Sequence, residues 1–303
     1  MSEPLNDTTR CGFACILGLP NAGKSTLVNA LVGSKVSIVS RKSQTTRSRV
    51  LGILMQDDTQ IVLVDTPGIF SPKKTMEKAM VQAAWDALDG ADVIVHLVDA
   101  SSRDAIESNG IILEKISAEK PCLLVLNKTD RVNKPDLFAL AQKMNERFNY
   151  AGTFMISALT KDGISDVLAD IAKRLPAGPF LFDPEQTTDM PMRLIAAEIT
   201  REKIFENLHQ ELPYAVFIET ESWENFDDGS VKIDQTVYVQ RDSQKAIVLG
   251  KGGNQIKQIG QSSRRELEEM MGCRVHLKLF VKVKEDWPER AEYLQLMGLQ
   301  APV

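Results

Sequence analysis

Between Phe13 and about Leu175 the chain alternates two kinds of hydrophobic pattern. FACIL (Phe13–Leu17), QIVLVD (Gln60–Asp65), DVIVHLVD (Asp92–Asp99), PCLLVLN (Pro121–Asn127) and TFMIS (Thr153–Ser157) are near-continuous apolar runs, as in strands buried on both faces of a parallel sheet. Segments between them, such as TMEKAMVQAAWDALDG and KPDLFALAQKMNERF, repeat apolar residues at helical spacing. The alternation predicts an α/β domain with a mostly parallel sheet and helices on both faces, its ligands lying outside the carboxyl ends of the strands. Four prolines in the sixteen positions Pro176–Pro191 oppose regular structure. Beyond them RLIAAEITREKIFENLH has helical spacing, YAVFIETES and VKIDQTVYVQ alternate about a polar turn, and two helical segments precede the strand-like CRVHLKLFVKVK and a short final helix. The expectation is an α-β-β-α-α-β domain of the α+β class. The boundaries read 1–177, a linker 178–191, and 192–303.

Composition narrows the setting. The 303 residues are 43% hydrophobic and 25% charged, ordinary for a soluble globular protein. No apolar run approaches the ~18 residues of a membrane helix, and MSEPLNDTTR lacks the basic and apolar regions of a secretory leader. Cys11, Cys15, Cys122 and Cys273 are scattered, which argues for reduced thiols in the cytoplasm. Cys11 and Cys15 are four apart, and His96, His209 and His276 lie far from them, which argues against a zinc site. A net charge of −5 argues against a nucleic-acid partner for the chain as a whole.

The candidate chemistry falls at the ends of the predicted strands. GLPNAGKST, comprising Gly18, Leu19, Pro20, Asn21, Ala22, Gly23, Lys24, Ser25 and Thr26, contains the G-x-x-x-x-G-K-[ST] loop between a strand and a helix. Its backbone N–H groups and the helix N-terminus would cradle phosphates, Lys24 would reach the β- and γ-phosphates, and Ser25 would bind Mg²⁺. DTPG (Asp65, Thr66, Pro67, Gly68) follows the second run; Asp65 would hold Mg²⁺, and Gly68 would offer its N–H to the γ-phosphate. NKTD follows the fourth run. An Asp130 carboxylate can accept from both the ring N–H and the exocyclic amine of guanine, a pair that adenine lacks. Lys128 would lie along the base, Asn127 would tie this loop to the phosphate loop, and a backbone N–H of Ser157, Ala158 or Leu159 would meet guanine O6. QTTR (Gln44–Arg47) must supply a hydroxyl to Mg²⁺; Thr46 is the choice and Thr45 its rival. Ile69 stands where many GTPases have a water-orienting glutamine, so slow intrinsic hydrolysis of ~10⁻⁴–10⁻² s⁻¹ is expected.

In the second domain GKGG (Gly250, Lys251, Gly252, Gly253) lies between two helical segments. A G-x-x-G loop can clamp about four single-stranded nucleotides. From Arg241 to Lys284 ten Lys/Arg, including Lys257, Arg264 and Arg265, face four acids, so the segment carries +6 inside a negative protein.

The four nucleotide motifs, in this order, resemble those of translation-factor-class GTPases. With SRKSQTTR, TREK, ELPY, GKGG and LFVKVK, nearly the whole chain resembles the bacterial Era family, a GTPase domain followed by a type II KH domain. The resemblance implies GTP hydrolysis to GDP with Mg²⁺, and K⁺ at Asn21. It also implies binding to the 3′ end of 16S ribosomal RNA, a role in 30S subunit assembly and 16S rRNA processing, and loose association with the inner membrane. One departure is Gly252, where relatives often carry a second lysine. Two other readings are a constitutive RNA-binding protein with a structural nucleotide site, and a GTPase serving tRNA modification.

Overall fold

The computed structural model describes residues 9–40, 42, 44–117, 119–208 and 212–300. Most of the amino-terminal stretch read for a leader lies outside them, as do parts of SRKSQTTR and ELPY. The chain divides into two units, Met1–Asp189 with Met297–Val303, and Met190–Leu296.

The first unit is a six-stranded sheet. Its strands are β1 (Arg10–Leu17), β2 (Val50–Gln56), β3 (Thr59–Asp65), β4 (Val93–Asp99), β5 (Cys122–Asn127) and β6 (Gly152–Met155), in the order β2-β3-β1-β4-β5-β6. All neighbours are parallel except β2 with β3. β1 pairs with β3 on one side and β4 on the other, so the chain switches direction across the sheet at the end of β1, where α/β folds open a crevice.

The helices are α1 (Lys24–Val32), α2 (Thr75–Asp86), the short α3 (Ala105–Ser108) and α4 (Gly110–Leu113), α5 (Lys134–Arg147) and α6 (Ile164–Arg174). Alternate strand residues feed two cores. Ala14, Ile16, Leu63, Val95 and Val125 pack with Leu27 and Val28 of α1 and Val167 and Ile171 of α6. Cys15, Leu17, Val64, Ile94 and Leu124 pack with Ala84 of α2, Ile112 of α4 and Leu137 and Met144 of α5.

β2 is not among the strands read from the sequence. Its run VLGILMQ is short, unalternating and interrupted by Gly52. That glycine lets α1 press on the strand, since a Cβ there would lie 2.8 Å from both Val28 and Val32. β2 is tied to β3 by a tight turn with Asp57 at φ 51°.

The segment read as a linker is anchored to this unit over much of its length. The buried Gln60 Oε1 accepts from the backbone N–H groups of Leu181 (2.8 Å) and Phe182 (3.0 Å), and its Nε2 donates to the Phe182 carbonyl (2.8 Å). Ile53 N–H donates to the Thr187 carbonyl at 2.8 Å. Among the described residues no helix is long and apolar enough to cross a membrane.

The second unit has a three-stranded sheet, β7 (Phe217–Asn225), β8 (Val231–Val239) and β9 (Val275–Val283), in that order, with β7/β8 antiparallel and β8/β9 parallel. Helices α7 (Met192–Asn207), α8 (Asp242–Leu249) and α9 (Asn254–Met271) complete the α-β-β-α-α-β order, and α10 (Ala291–Leu296) follows. Ile204, Ile218, Val237, Val248 and Ile259 form its core. Thr200 of α7 donates to Gln235 Oε1 of β8 at 2.7 Å, and both are fully buried.

Candidate functional site

The phosphate loop leaves β1 and enters α1 at Gly23, which has φ 100°. Its glycines are required by crowding: a Cβ on Gly18 would meet the Leu97 carbonyl at 2.4 Å, and one on Gly23 would meet Asn127 Nδ2 at 2.3 Å. Lys24 is 6% exposed, and its Nζ donates to the carbonyls of Gly18 (3.2 Å) and Leu19 (3.0 Å). Burial pushes its pKa down to about 8, against the pull of Asp65. Asn21, exposed with φ 63°, lies with Pro20 and Thr26 on the wall of a cavity.

Three oxygens from separate segments converge beside this loop. Ser25 Oγ donates to Asp65 Oδ2 at 2.7 Å and lies 2.8 Å from Thr46 Oγ1, which reaches the same carboxylate oxygen at 3.4 Å. Of the two threonines left open by the sequence, Thr45 also lines the cavity, and its hydroxyl donates to the Lys42 carbonyl at 2.9 Å. Asp65 is fully buried. Burial raises its pKa, opposed by the Ser25 hydroxyl and by Lys24. Its other oxygen, Oδ1, is buried without a hydrogen-bond partner, an arrangement costing ~1–3 kcal/mol or more unless something positive meets it. Two hydroxyls and a carboxylate are the hard oxygen donors that suit Mg²⁺.

After Asp65, Thr66 is buried with its hydroxyl on the Ile16 carbonyl (2.7 Å), and Pro67 is buried beside it. Gly68 closes on the phosphate loop so tightly that a Cβ would lie 2.8 Å from Pro20 backbone atoms, and Ile69 N–H donates to the Gly18 carbonyl at 3.1 Å. The Ile69 side chain is in the core, 0% exposed.

At the end of β5, Asn127 joins three loops. Its Nδ2 donates to the Ala22 carbonyl (2.8 Å), and its Oδ1 accepts from Ala158 N–H (2.9 Å). Ser157 Oγ donates to Asp130 Oδ1 at 2.7 Å, orienting that carboxylate. Lys128, at φ 66°, donates from Nζ to Asp99 Oδ2 at 2.5 Å. Leu159 is 71% exposed. All these groups stand at the carboxyl edge of the sheet, where chain reversals leave room for a ligand.

In the second unit the G-x-x-G loop links α8 to α9. Gly250 (φ 70°), Gly252 (62°) and Gly253 (77°) all have positive φ. Only Gly250 is also crowded, a Cβ there meeting Gln255 Cβ at 2.5 Å. Lys251 is exposed. Along α9, Lys257 and Arg264 line a groove of about 390 Å³ with Ile256, Gly260 and Gln261, facing Leu277 and Leu279 of the edge strand β9. Arg265, exposed, is not on that groove; it lies about 100° further round the helix than Arg264.

The model of a 50S ribosome-binding GTPase family matches residues 13–128, and that of a KH domain matches residues 211–288. GTPase Era of Bradyrhizobium diazoefficiens is 52% identical over 294 residues, which cover 97% of this chain and 96% of the relative. The chain belongs to the Era family of GTPases. Brucella suis GTPase Era is 50% identical over 294 residues, 97% of this chain and 94% of its own. Among solved structures, a variant of Aquifex aeolicus Era bound to GDP and AlF4⁻ matches with a TM-score of 0.91 at 37% identity, covering 96% of this chain and 99% of that one. A structure of Era in complex with MgGDPNP and nucleotides 1506–1542 of 16S ribosomal RNA matches with the same TM-score, identity and coverage. The two units are accordingly a P-loop GTPase domain with a mostly parallel sheet and an α+β KH domain.

This Era-family chain also brings to the site residues that sequence reasoning missed. Ile38, Val39, Ser40 and Lys42 line the cavity with Lys24, Ser25 and Thr46. Ile38 and Val39 carry no motif of their own, whereas Ser40 and Lys42 belong to SRKSQTTR, a stretch that carried the family resemblance alone. Asp99, the partner of Lys128, was legible in principle: it ends an apolar strand, as Asp65 and Asn127 do.

Proposed function

We propose that the chain hydrolyses GTP and binds RNA, and that its nucleotide state gates its hold on small-subunit ribosomal RNA. The observation that carries this is Asn127, whose amide joins the phosphate loop to the Ser157–Leu159 loop. It brings a guanine-type base reader and a phosphate cradle to one edge of the sheet.

In this reading Asp130, oriented by Ser157, accepts the two guanine donors, and the stem of Lys128 covers the base. Gly18 to Thr26 surround the phosphates, with Lys24 on the β- and γ-phosphates and the Gly68 N–H on the γ-phosphate. Ser25, Thr46 and Asp65 would hold Mg²⁺, which supplies neutralisation of charge on the phosphate oxygens. Asn21, exposed at the same cavity, would offer its amide oxygen to K⁺. Thr66 serves the scaffold through Ile16. The buried Ile69 side chain cannot orient a water, so the catalytic groups within the chain are Lys24, Thr46 and the Gly68 backbone, and unassisted turnover is slow. Loss of the γ-phosphate would release the segments carrying Thr46 and Gly68.

Gly250 to Gly253 would clamp the RNA backbone, with Lys257 and Arg264 along the groove and Arg265 contributing to the surrounding field. The relative's complex with 16S rRNA nucleotides supports the rRNA 3′ end as the ligand here, and with it a role in 30S assembly and 16S rRNA processing. We place the protein in the cytoplasm, peripherally on the inner membrane, with working boundaries 1–177, 178–191 and 192–303.

The test is the affinity of the full chain for an RNA oligonucleotide of the 16S 3′ end, measured with GDP and with a non-hydrolysable GTP analogue. A difference of about tenfold, typical of coupled sites, is expected. Equal affinities would favour a constitutive RNA binder with a structural nucleotide site.

A further inference from the structure

Lys128 does not extend freely from its turn. Its backbone is held at φ 66°, and its ammonium is fixed on Asp99 Oδ2 at 2.5 Å. Asp99 is the last residue of β4, in register with Asn127 at the end of β5, so the strand pairing sets the distance between the two side chains' origins. The Asp99 carboxylate is itself immobilised. Its Oδ1 accepts from Ser101 N–H (3.0 Å) and from Ser101 Oγ (2.6 Å). The two side chains are only 21% and 25% exposed, which sets this pair apart from the solvent-screened ion pairs that contribute little. Burial would raise the Asp99 pKa, but the bonds from Lys128 and Ser101 outweigh it and keep the carboxylate charged.

We infer that Asp99 is a positioning residue for guanine-nucleotide binding: it anchors the Lys128 ammonium, so that the lysine's four-carbon stem is already extended where it must cover the purine. The inference rests on the guanine reading above. Its physical content is preorganisation. A lysine stem ordered only when the base arrives loses rotamer freedom at that moment and weakens binding by that amount, whereas one pinned at both ends has lost it on folding. Asp99 touches neither base nor phosphate in this scheme and acts wholly through Lys128.

The experiment is a double-mutant cycle on the full chain, with GDP binding followed by calorimetry. Asp99→Asn keeps an oxygen for Ser101 and removes the charge; Asp99→Ala removes both; each is combined with Lys128→Ala. Thermal melts of the nucleotide-free proteins run alongside, because a merely structural role would lower the melting temperature without linking the two residues in GDP affinity. Each single variant is expected to weaken GDP binding by roughly tenfold, and the double variants to bind no more weakly than Lys128→Ala alone. GDP affinity of Asp99→Asn within about twofold of the parent, or losses that multiply in the double variants, overturn the inference while leaving the guanine reading intact. A parent chain that takes up no GDP, or takes up ADP equally, overturns the guanine reading and this inference with it.

Discussion

At the scale of single residues, His96 shows how the sheet enforces one protonation state. It is a β4 residue with no solvent exposure, bracketed by Tyr150 OH at 2.8 Å from Nδ1 and Asn109 Oδ1 at 2.9 Å from Nε2. Asn109 Nδ2 donates to the Ala105 carbonyl, which fixes its oxygen toward the ring. Nε2 therefore carries the proton, and Nδ1 accepts from the tyrosine. Burial lowers the pKa to about 4, with the Asn109 bond opposing. Because the folded pKa lies below the unfolded value of about 6.5, the unfolded chain binds the extra proton. Stability is thus full above about pH 6.5 and falls as pH drops toward 4, by about 3 kcal/mol in all. Urea midpoints from pH 7 to pH 4.5 should show this fall, and His96→Gln should flatten it; parallel slopes in the two proteins would refute the assignment. None of this was legible in the sequence, where His96 is one polar letter inside an apolar strand.

At the scale of elements, the legible parts were those whose chemistry is local. The phosphate loop, DTPG and NKTD are contiguous words at strand ends, and the buried strands are long enough to be read by their apolar runs. What escaped depended on neighbours distant in sequence. β2 is a strand because β3 pairs with it and α1 covers it. Thr46 was already the choice over Thr45 within QTTR, and only its contact with Ser25 and Asp65 waits on three converging segments. Asp99 meets Lys128 only because β4 and β5 lie side by side. The G-x-x-G loop lies between these cases. Its glycines are visible in the sequence, but only the fold separates Gly250, which has no room for a Cβ, from Gly253, which has room and an unusual backbone angle. Gly253→Asp should therefore fold, at a strain cost of ~1–2 kcal/mol, and set a carboxylate in the proposed phosphate clamp. RNA affinity should fall by at least about tenfold with GTP turnover unchanged; undiminished RNA binding, measured by filter retention, would count against the clamp.

For the molecule as a whole, composition was a poor guide, since the net charge of −5 conceals a segment of +6 in the KH unit. Proline content was a partial one: it located the break in regular structure but not what the intervening chain does there. That chain lies along β2 and β3, and a single amide, Gln60, takes two backbone donors and one acceptor from it. Gln60→Leu keeps the bulk and removes all three bonds. Local opening of residues 180–187 should then become easier, and cleavage of that stretch by a nonspecific protease should accelerate by about tenfold or more while the sheet resists. Unaltered digestion rates would mean that apolar contacts alone hold the segment. The same anchoring bears on how the molecule should be dissected. A fragment cut at Pro176 would strip the Gln60 amide and the Ile53 N–H of their covering strap and leave a raw, sticky flank beside the β2–β3 ribbon. A fragment carried on to Asp189 would keep its own wrapping.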